Sequence, residues 1–407
     1  MEPTLLSRPA KKPAPSAKDI ENSTKAAGST PGRLSYIDNL RWVMIILVLS
    51  MHAAVTYSHL GSWYYMEDTP VSMAERGIFG TYQAFLQSFF MGFLFFIAGY
   101  FVPRAYDTKG AARFLRDRGF RLGLPLLFFV FLLQPVSIYC ISLFHGPDVG
   151  SGFSDVYRRY ITSGRWLGGT GPLWFCEALL LFCLGYVLFR IVRRKKSAPA
   201  VRALPGNGVI AGFILLAGVA TFLVRLWWPN GTSFYNLQFC YFPQYVFFFI
   251  AGTLAFRRDW LRQFSRRTGK LWGRIGLPGG LVIWIALLGL GGAFKGQLSS
   301  YQGGWHWQSL GMSCWEQLAG VGISLYLLVW FRERFNGQGT AARFFSASAF
   351  AVYVFHTPVL ITLSRLMSGL NWPLLVMFVA LTGLSIAVTY VLCAALLRKV
   401  PLLKNIL

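Results

Sequence analysis

Ten blocks of mostly apolar residues, each close to twenty residues long, follow one another along this chain of 407 residues. Roughly 20 helical residues cross a hydrocarbon layer about 30 Å thick, so each block has the length of a transmembrane helix. The blocks lie at residues 39–58, 82–102, 122–144, 173–190, 208–228, 239–256, 277–294, 312–331, 346–366 and 374–397. The sequence therefore predicts an all-α, polytopic integral membrane protein with about ten transmembrane helices.

The composition agrees with lipid as the main solvent of the protein surface. Hydrophobic residues make up 55% of the chain and charged residues only 13%, about half the charged share that is usual in a soluble domain. A soluble protein of this length could not cover its surface with so few charges. We therefore expect no independent soluble domain.

The basic residues are distributed unevenly between the connections. Lys and Arg cluster in the N-terminal segment and after the second, fourth and sixth blocks, whereas the connections after the first, fifth and seventh blocks hold at most one each. This is the positive-inside pattern, and with an even number of spans it predicts that both termini are cytoplasmic. Topology and attraction to the lipid bilayer thus account for the net charge of +24, and no nucleic-acid partner is expected.

The first 33 residues differ in composition from the rest. They are rich in Pro, Ala, Ser and Lys and lack a continuous apolar stretch, which predicts a disordered basic cytoplasmic tail rather than a signal peptide. The six cysteines of the chain lie in or beside apolar blocks without metal-ligand spacing. We interpret them as packing residues and predict no metal site.

Ionisable residues inside the blocks are candidate functional residues, because a charge in hydrocarbon is costly. The set comprises Arg41, His52, Glu177, Arg225, Glu316, His356 and Arg365. Arg225 and Arg365 lie near block ends, where their side chains can reach the head groups, so a structural role is expected. Glu177 and Glu316 are interpreted either as cavity residues or as interfacial acids exposed to water.

Arg41 and His52 share one face of the first helix, since 11 residues separate them, which corresponds to about 16 Å along the axis. An elongated anion entering from the cytoplasm could meet Arg41 with its phosphate end and His52 with its reactive end. The alternative is a helix-end arginine at the head groups and a histidine hydrogen-bonded to a neighbouring helix. His356 precedes Thr357-Pro358. It is likewise interpreted either as a residue that lines a cavity or as one that forms an interhelical hydrogen bond.

Two connections interleave aromatic and hydrogen-bonding residues, at 57–68 and 301–308. Such a mixture suits stacking on a sugar ring while binding its hydroxyl groups. A belt of Trp and Tyr at the membrane interface is the alternative explanation.

Four landmarks follow one another along the chain. The first is Asp38-Asn39-Leu40-Arg41 with His52 after ten further residues, and the second is Phe95-Phe96-Ile97-Ala98-Gly99-Tyr100. The third is the basic run at 114–125, with Arg116, Arg118 and Arg121. The fourth comprises Pro172-Leu173-Trp174-Phe175 and Tyr353-Val354-Phe355-His356-Thr357-Pro358. Together they resemble the type-3 membrane acyltransferases over residues 34–398. Ala98 replaces the usual serine, and Trp42 stands where a glycine often follows the arginine.

The resemblance implies a membrane O-acyltransferase domain at residues 34–407, in the inner (plasma) membrane of a bacterium. It would move an acetyl or succinyl group from cytoplasmic acyl-CoA, a co-substrate rather than a bound cofactor, to a hydroxyl of an extracytoplasmic carbohydrate or glycan. His52, as general base, and Arg41 would be catalytic, and Arg116, Arg118 and Arg121 would bind the donor. Possible cavity residues are His356, Glu177, Trp174, Tyr100 and Glu316.

Two other classes stay open on the sequence alone. A transporter or permease could use His52 and His356 as coupling groups, although no internal repeat is visible. A scaffold subunit would use the inward polar residues only for structure. An enzyme of this kind needs a cavity that reaches His52 from both sides of the membrane, a transporter needs gated access, and a scaffold needs neither.

Overall fold

The computed structural model of the protein describes residues 34–143, 150–193 and 203–399. Within these ranges ten helical stretches are long and apolar enough to cross a membrane. They are Ser35–Ser58 (α1), Met73–Lys109 (α2), Ala111–Ser142 (α3), Gly171–Arg193 (α4), Asn207–Arg225 (α5), Phe239–Arg257 (α6), Arg266–Lys295 (α7), Trp307–Arg334 (α8), Thr340–Met367 (α9) and Leu374–Ala395 (α10). The all-α prediction with about ten spans is confirmed. The predicted tail at 1–33 lies outside the described residues.

Two of the spans change their helical winding. α3 is built from Ala111–Arg118, a π-helical turn at Gly119–Gly123, Leu124–Phe128, a second π-helical turn at Phe129–Leu133, and Gln134–Ser142. α7 is built from Arg266–Arg274, a π-helical turn at Ile275–Gly279, Gly280–Leu290 and a final 3-10 turn at Ala293–Lys295. Pro125 and Pro135 lie two residues after the wide turns of α3, and Pro278 lies in that of α7. Because proline lacks an N–H and its ring crowds the preceding turn, a locally wider winding accommodates it inside a span.

The remaining elements are short. Helices at Phe153–Thr162 and Trp260–Gln263 and 3-10 turns at Arg165–Gly168 and Ser299–Tyr301 lie between spans, whereas the 3-10 turns Gly171–Leu173 and Phe239–Tyr241 begin α4 and α6. The described part of the chain contains one isolated β-bridge, between Phe234 and Leu237, and no β-strand.

One end of the bundle, here called the basic face, gathers the start of α1 and the ends of α2, α4, α6 and α8. The Asn39 side-chain amide donates to the carbonyl of Phe335 over 2.8 Å, which ties α1 to the connection after α8. Asp107 pairs with Arg190 at 3.0 Å and with Arg257 at 2.6 Å, which ties the ends of α2, α4 and α6. Successive spans therefore alternate in direction.

The opposite end, here called the loop face, gathers the longer connections. The Asn236 amide donates to the carbonyl of Gly171 over 2.8 Å, and the Asn230 N–H donates to the carbonyl of Gln302 over 2.7 Å. The helix Phe153–Thr162 on this face carries arginines. The difference in basic charge between the two faces is therefore smaller than the connections after the first, fifth and seventh blocks suggest. The cytoplasmic placement of the basic face stays a prediction.

α2 and α6 approach each other so closely that only glycine fits at their crossing. A Cβ atom on Gly99 would lie 2.3 Å from the Phe249 carbonyl oxygen, and one on Gly252 would lie 2.1 Å from the Phe96 carbonyl oxygen. Small residues allow such backbone contact between membrane helices, where dispersion rather than the hydrophobic effect holds the pair. The glycine of the second sequence landmark thus has a packing role.

A fully buried ion pair joins α5 to α8. Arg225 donates to the Glu316 carboxylate over 2.7 Å, and the two residues are 0% and 4% exposed. The guanidinium also lies over the Tyr241 ring, 5.3 Å from its centroid. The expectations that Arg225 reaches the head groups and that Glu316 is an acid exposed to water are therefore wrong. The two charges occupy the same depth, and each is the counter-ion of the other inside the bundle.

Removing one partner of this pair should destabilise the protein strongly. Glu316→Gln leaves the Arg225 charge buried without a counter-ion, which costs about 3–5 kcal/mol in comparable buried pairs. We expect a clear fall in the midpoint temperature of thermal unfolding in detergent, measured by tryptophan fluorescence.

The matched control is Glu333→Gln on the same helix. Glu333 pairs with Arg266 at 3.4 Å, with side chains 31% and 60% exposed, and exposed pairs contribute about 0–1 kcal/mol. Equal shifts of the midpoint in both variants would show that the buried ion pair contributes no more to stability than the exposed one.

Candidate functional site

A cavity of about 390 Å³ lies in the loop-face half of the bundle, between α1, α2, α3, α4, α6 and α9. Its wall contains one ionisable imidazole, His52 on α1, together with uncharged hydrogen-bonding side chains and aromatic rings. The hydrogen-bonding side chains include Ser62, Tyr64, Gln87, Gln134, Asn236 and Gln238. The cavity thus combines a single proton-transfer group with a polar, neutral wall.

His52 is held in a set of three nearly parallel rings. Trp63 stacks on it with centroids 3.7 Å apart and an interplanar angle of 16°. The His356 ring is 5.5 Å from His52 and 6.4 Å from Trp63, inclined at 14° and 12°. These three separations place His356 beside the His52 ring, along its edge, while Trp63 covers a face. The landmark histidines of α1 and α9 are thereby brought together.

The hydrogen bonding of His356 defines its tautomer. Its Nδ1 lies 2.8 Å from the carbonyl oxygen of Tyr353 on the same helix. Because a carbonyl only accepts, Nδ1 carries the proton and, in the neutral ring, Nε2 has the lone pair. His356 is 0% exposed, and within the described residues its Nε2 has no hydrogen-bond partner. The interhelical hydrogen bond considered for it is therefore not formed there.

Tyrosine hydroxyl groups join the cavity wall to neighbouring elements. Tyr64 donates to the side-chain oxygen of Gln134 on α3, and burial raises the pKa of the Tyr64 phenol above its ordinary value, so it stays a neutral donor. Tyr353 donates to the carbonyl of Pro172. That bond links the two halves of the fourth landmark, one on α4 and the other on α9.

The connection after α1, which carries Trp63, is held against α9 by a polar network. Arg365 donates to the Tyr65 hydroxyl over 2.7 Å, and that hydroxyl donates to Glu67 over 2.8 Å. Ser368 donates to the other Glu67 oxygen over 3.1 Å. Arg365 therefore has a structural role, as expected. The network fixes the segment that lays Trp63 on His52.

An aromatic cluster closes the cavity toward the basic face. Phe95 lies one turn beyond Met91, which lines the cavity, and is fully buried. Its ring centroid is 4.6 Å from Phe175, 5.0 Å from Phe182 and 5.0 Å from Tyr245. Among the residues that the structure describes, the wall of this cavity does not continue past the cluster to the basic face.

The structure places the predicted donor-side residues at the basic face and outside the cavity. Arg41 is exposed and lies 3.7 Å from Asp38. Arg116 and Arg121 are exposed near the start of α3, and Arg118 lies over the Phe114 ring at 5.3 Å. Arg41 and His52 thus lie toward opposite faces of the bundle, as their separation along α1 predicted.

The other predicted cavity residues separate into two groups. Trp174 lines the cavity and stacks on Tyr245 with centroids 5.4 Å apart. Tyr100 lies near the basic face with its ring edge-on to Phe256, and Glu316 is engaged in its ion pair. Glu177 lies less than one turn beyond Trp174 and is half-buried rather than open to water. These three are absent from the cavity wall.

Sequence reasoning missed the amides of the cavity wall. Gln87 and Gln134 stand inside apolar blocks, and a search that had included amides as well as ionisable groups would have found them. Asn236 and Gln238 come from a connection, where polar residues are ordinary and carry no signal. Trp63 belongs to one of the two aromatic connections, and its stacking on His52 distinguishes it from a simple interfacial belt.

Gly171 offers a test of the cavity wall. Its φ is +47°, and a Cβ atom would lie 2.5 Å from the Tyr64 hydroxyl oxygen and 2.6 Å from the Phe129 ring. Gly171→Ala should therefore destabilise the protein by about 1–3 kcal/mol, through overpacking in a conformation that alanine disfavours. The measurement is the midpoint of thermal unfolding.

Gly185→Ala on the same helix is the matched control, because a Cβ atom there meets nothing within 4 Å. Alanine is the better helix former, so the control should unfold at the same or a slightly higher temperature. A stable Gly171→Ala protein would contradict the described packing between Tyr64 and the start of α4.

Comparison with known families extends over almost the whole described chain. The model of a family described as an acyltransferase domain matches residues 34–394. No curated protein and no solved structure matches the chain.

Proposed function

The chain belongs to the type-3 acyltransferases, a family of membrane O-acyltransferases, and on this premise we propose that it moves an acyl group from acyl-CoA at the basic face to a carbohydrate hydroxyl in the cavity. Family membership favours an enzyme over the transporter and scaffold alternatives. The observation that carries the proposal is His52 on the wall of a neutral, aromatic and hydrogen-bonding cavity.

The cavity wall supports a carbohydrate acceptor. Amide and hydroxyl groups can donate to and accept from sugar hydroxyls, and aromatic rings such as Trp174 can stack on the apolar face of a sugar. No described residue in the wall carries a permanent charge, which favours a neutral polyhydroxylated molecule over an anion. The volume of about 390 Å³ lies in the range of small-molecule sites.

His52 would act as the general base. It would take the proton of the acceptor hydroxyl as the oxygen attacks the thioester carbonyl, and it would return that proton to the departing thiolate, so that an ester and a free thiol result. His356 would accept a hydrogen bond from His52 through its Nε2 lone pair. This would leave the other His52 nitrogen unprotonated, as a base requires.

Arginines at the basic face would bind the phosphates of the donor. Within the described residues Arg116, Arg118 and Arg121 form no ion pair, whereas the acids nearby are engaged: Asp117 with Lys109 at 2.5 Å, and Asp107 with arginines of α4 and α6. Guanidinium groups bind phosphate oxygens in a bidentate manner. Arg41, exposed at the same face, would meet the donor at the start of α1.

The acyl end of the donor would then have to travel to His52. The distance along α1 from Arg41 is about 16 Å, and the aromatic cluster around Phe95 lies between the two faces. We therefore include in the proposal a movement of the Phe95 side chain that admits the donor arm. A closed cluster in the resting state would also keep water away from the thioester until the donor is seated.

Replacing His52 should abolish acyl transfer. We expect His52→Ala to lower the turnover of radiolabelled acetyl-CoA or succinyl-CoA by about 10²–10⁴-fold, the usual contribution of a general base. The purified protein in nanodiscs is assayed for released CoA and for label on added cell-envelope glycans. Protein abundance should not change.

His306→Ala is the control, because His306 is exposed at the loop face outside the cavity wall. Turnover retained in His52→Ala, or lost equally in both variants, would remove the base assignment.

The double variant Arg116→Ala with Arg118→Ala should raise the donor concentration needed for half-maximal rate by roughly tenfold or more, because charge-assisted contacts with phosphate are lost. The dependence of the rate on acceptor concentration should stay the same. Arg266→Ala with Arg267→Ala is the control, since it removes the same charge from the same face. Equal effects in both double variants would mean that only the overall surface charge attracts the donor.

A further inference from the structure

We propose that a second, apolar groove on the basic-face half of the bundle binds one acyl chain of an anionic phospholipid from the surrounding leaflet. The groove has a volume of about 400 Å³ and lies between α5, α6, α8 and the short helix Trp260–Gln263. It shares no wall residue with the His52 cavity. The site is therefore separate from the one proposed for acyl transfer.

The groove is long and runs parallel to α6. Its wall follows α6 from Phe247 to Leu254, which corresponds to about 10 Å along a helix, and continues to Arg258 directly after the helix. Three α8 residues one helical turn apart form the facing wall, namely Val321, Leu325 and Leu328. This shape fits an extended hydrocarbon chain lying along the helices.

The wall is almost entirely apolar and opens sideways toward lipid. Its aromatic members are Phe96, Phe213, Phe247, Phe248, Trp260 and Phe264. On the rim, Val209 is 64% and Ile250 50% exposed, and both belong to membrane spans. A ligand would therefore enter from the hydrocarbon layer rather than from water, which selects a lipid tail as the occupant.

A positively charged side chain lies at the mouth of the groove. Arg258 directly follows α6 at the basic face, and its guanidinium lies 5.5 Å from the centre of the Trp260 ring. Within the described residues it has no carboxylate partner. An arginine at head-group level beside an apolar groove complements a phosphate attached to an acyl chain.

A buried hydroxyl group in the wall points to an occupant that carries oxygen. Ser324 is 4% exposed and lines the groove, and no described residue accepts its hydroxyl hydrogen. An unpaired hydroxyl in an apolar environment costs free energy that a hydrogen bond recovers. The ester oxygens of a phospholipid can accept this bond, whereas a plain hydrocarbon tail cannot.

The mouth is built rigidly. Arg332 on α8 donates to the carbonyls of Leu261 and Phe264 over 2.8 Å and 2.5 Å. Trp272 donates to the Asn207 side chain over 3.1 Å, which joins α7 to the start of α5. The groove is therefore formed before any lipid binds, which lowers the entropic cost of binding.

Native mass spectrometry tests the proposal, with the purified full chain titrated with phosphatidylglycerol or phosphatidylcholine. We expect the wild type to retain one phosphatidylglycerol in preference to phosphatidylcholine. Arg258→Ala should lower this occupancy by roughly tenfold or more, and Ala251→Trp, which fills the groove, should abolish it. Arg262→Ala, which removes an exposed charge on the same face outside the groove, should leave it unchanged.

Equal binding of both lipids by the wild type and all variants would overturn the proposal. A dimer that Ala251→Trp dissociates would also overturn it, by making a second copy of the chain the occupant. Thermal unfolding of each variant in the same detergent shows whether the fold is kept. If Ala251→Trp does not fold, Arg258→Ala and Ser324→Ala, which should also weaken the binding, decide the question.

Discussion

The absence of water from the hydrocarbon layer governs this structure, because every polar group placed there needs a partner within the protein. The backbone meets this demand by forming helices throughout the spans. Among side chains, Arg225 and Glu316 meet it by pairing at 2.7 Å. The Nε2 atom of His356 has no hydrogen-bond partner among the described residues, and its ring lies 5.5 Å from that of His52 on the cavity wall. The ion pair thus supports the fold, whereas the unpaired Nε2 beside His52 can still accept a hydrogen bond.

Some features of the fold are determined by neighbouring residues in the chain and can be predicted from sequence. Others depend on packing between distant segments and cannot. Span number and helix type follow from the length of apolar blocks, so these predictions hold. Helix ends do not coincide with the ends of the apolar blocks. For example, α2 begins at Met73, well before the apolar block at 82–102. The pairing of Arg225 with Glu316 depends on how α5 and α8 pack, which no spacing along the chain reveals. For the same reason the position of Trp63 on His52 was not predictable.

The sequence landmarks of the family both line the cavity, through His52, Trp174 and Tyr353, and support the helices around it. Asn39 ties α1 to the connection after α8, Gly99 allows α2 to approach α6, and the Pro172 carbonyl accepts a hydrogen bond from Tyr353. These contacts hold the helices that carry His52 and His356. The amides of the cavity wall, in contrast, belong to no landmark, so they do not contribute to the identification of the family.

The central claim is that acyl donor and acceptor meet at His52 from opposite faces, and transfer across a sealed vesicle tests it most directly. Proteoliposomes with the basic face outward would enclose cell-envelope glycans and receive radiolabelled acetyl-CoA or succinyl-CoA outside. The account predicts label on the enclosed glycans, and none when the donor is enclosed at the loop face and the glycans are outside. Equal transfer in both arrangements, or no transfer in either, would contradict it.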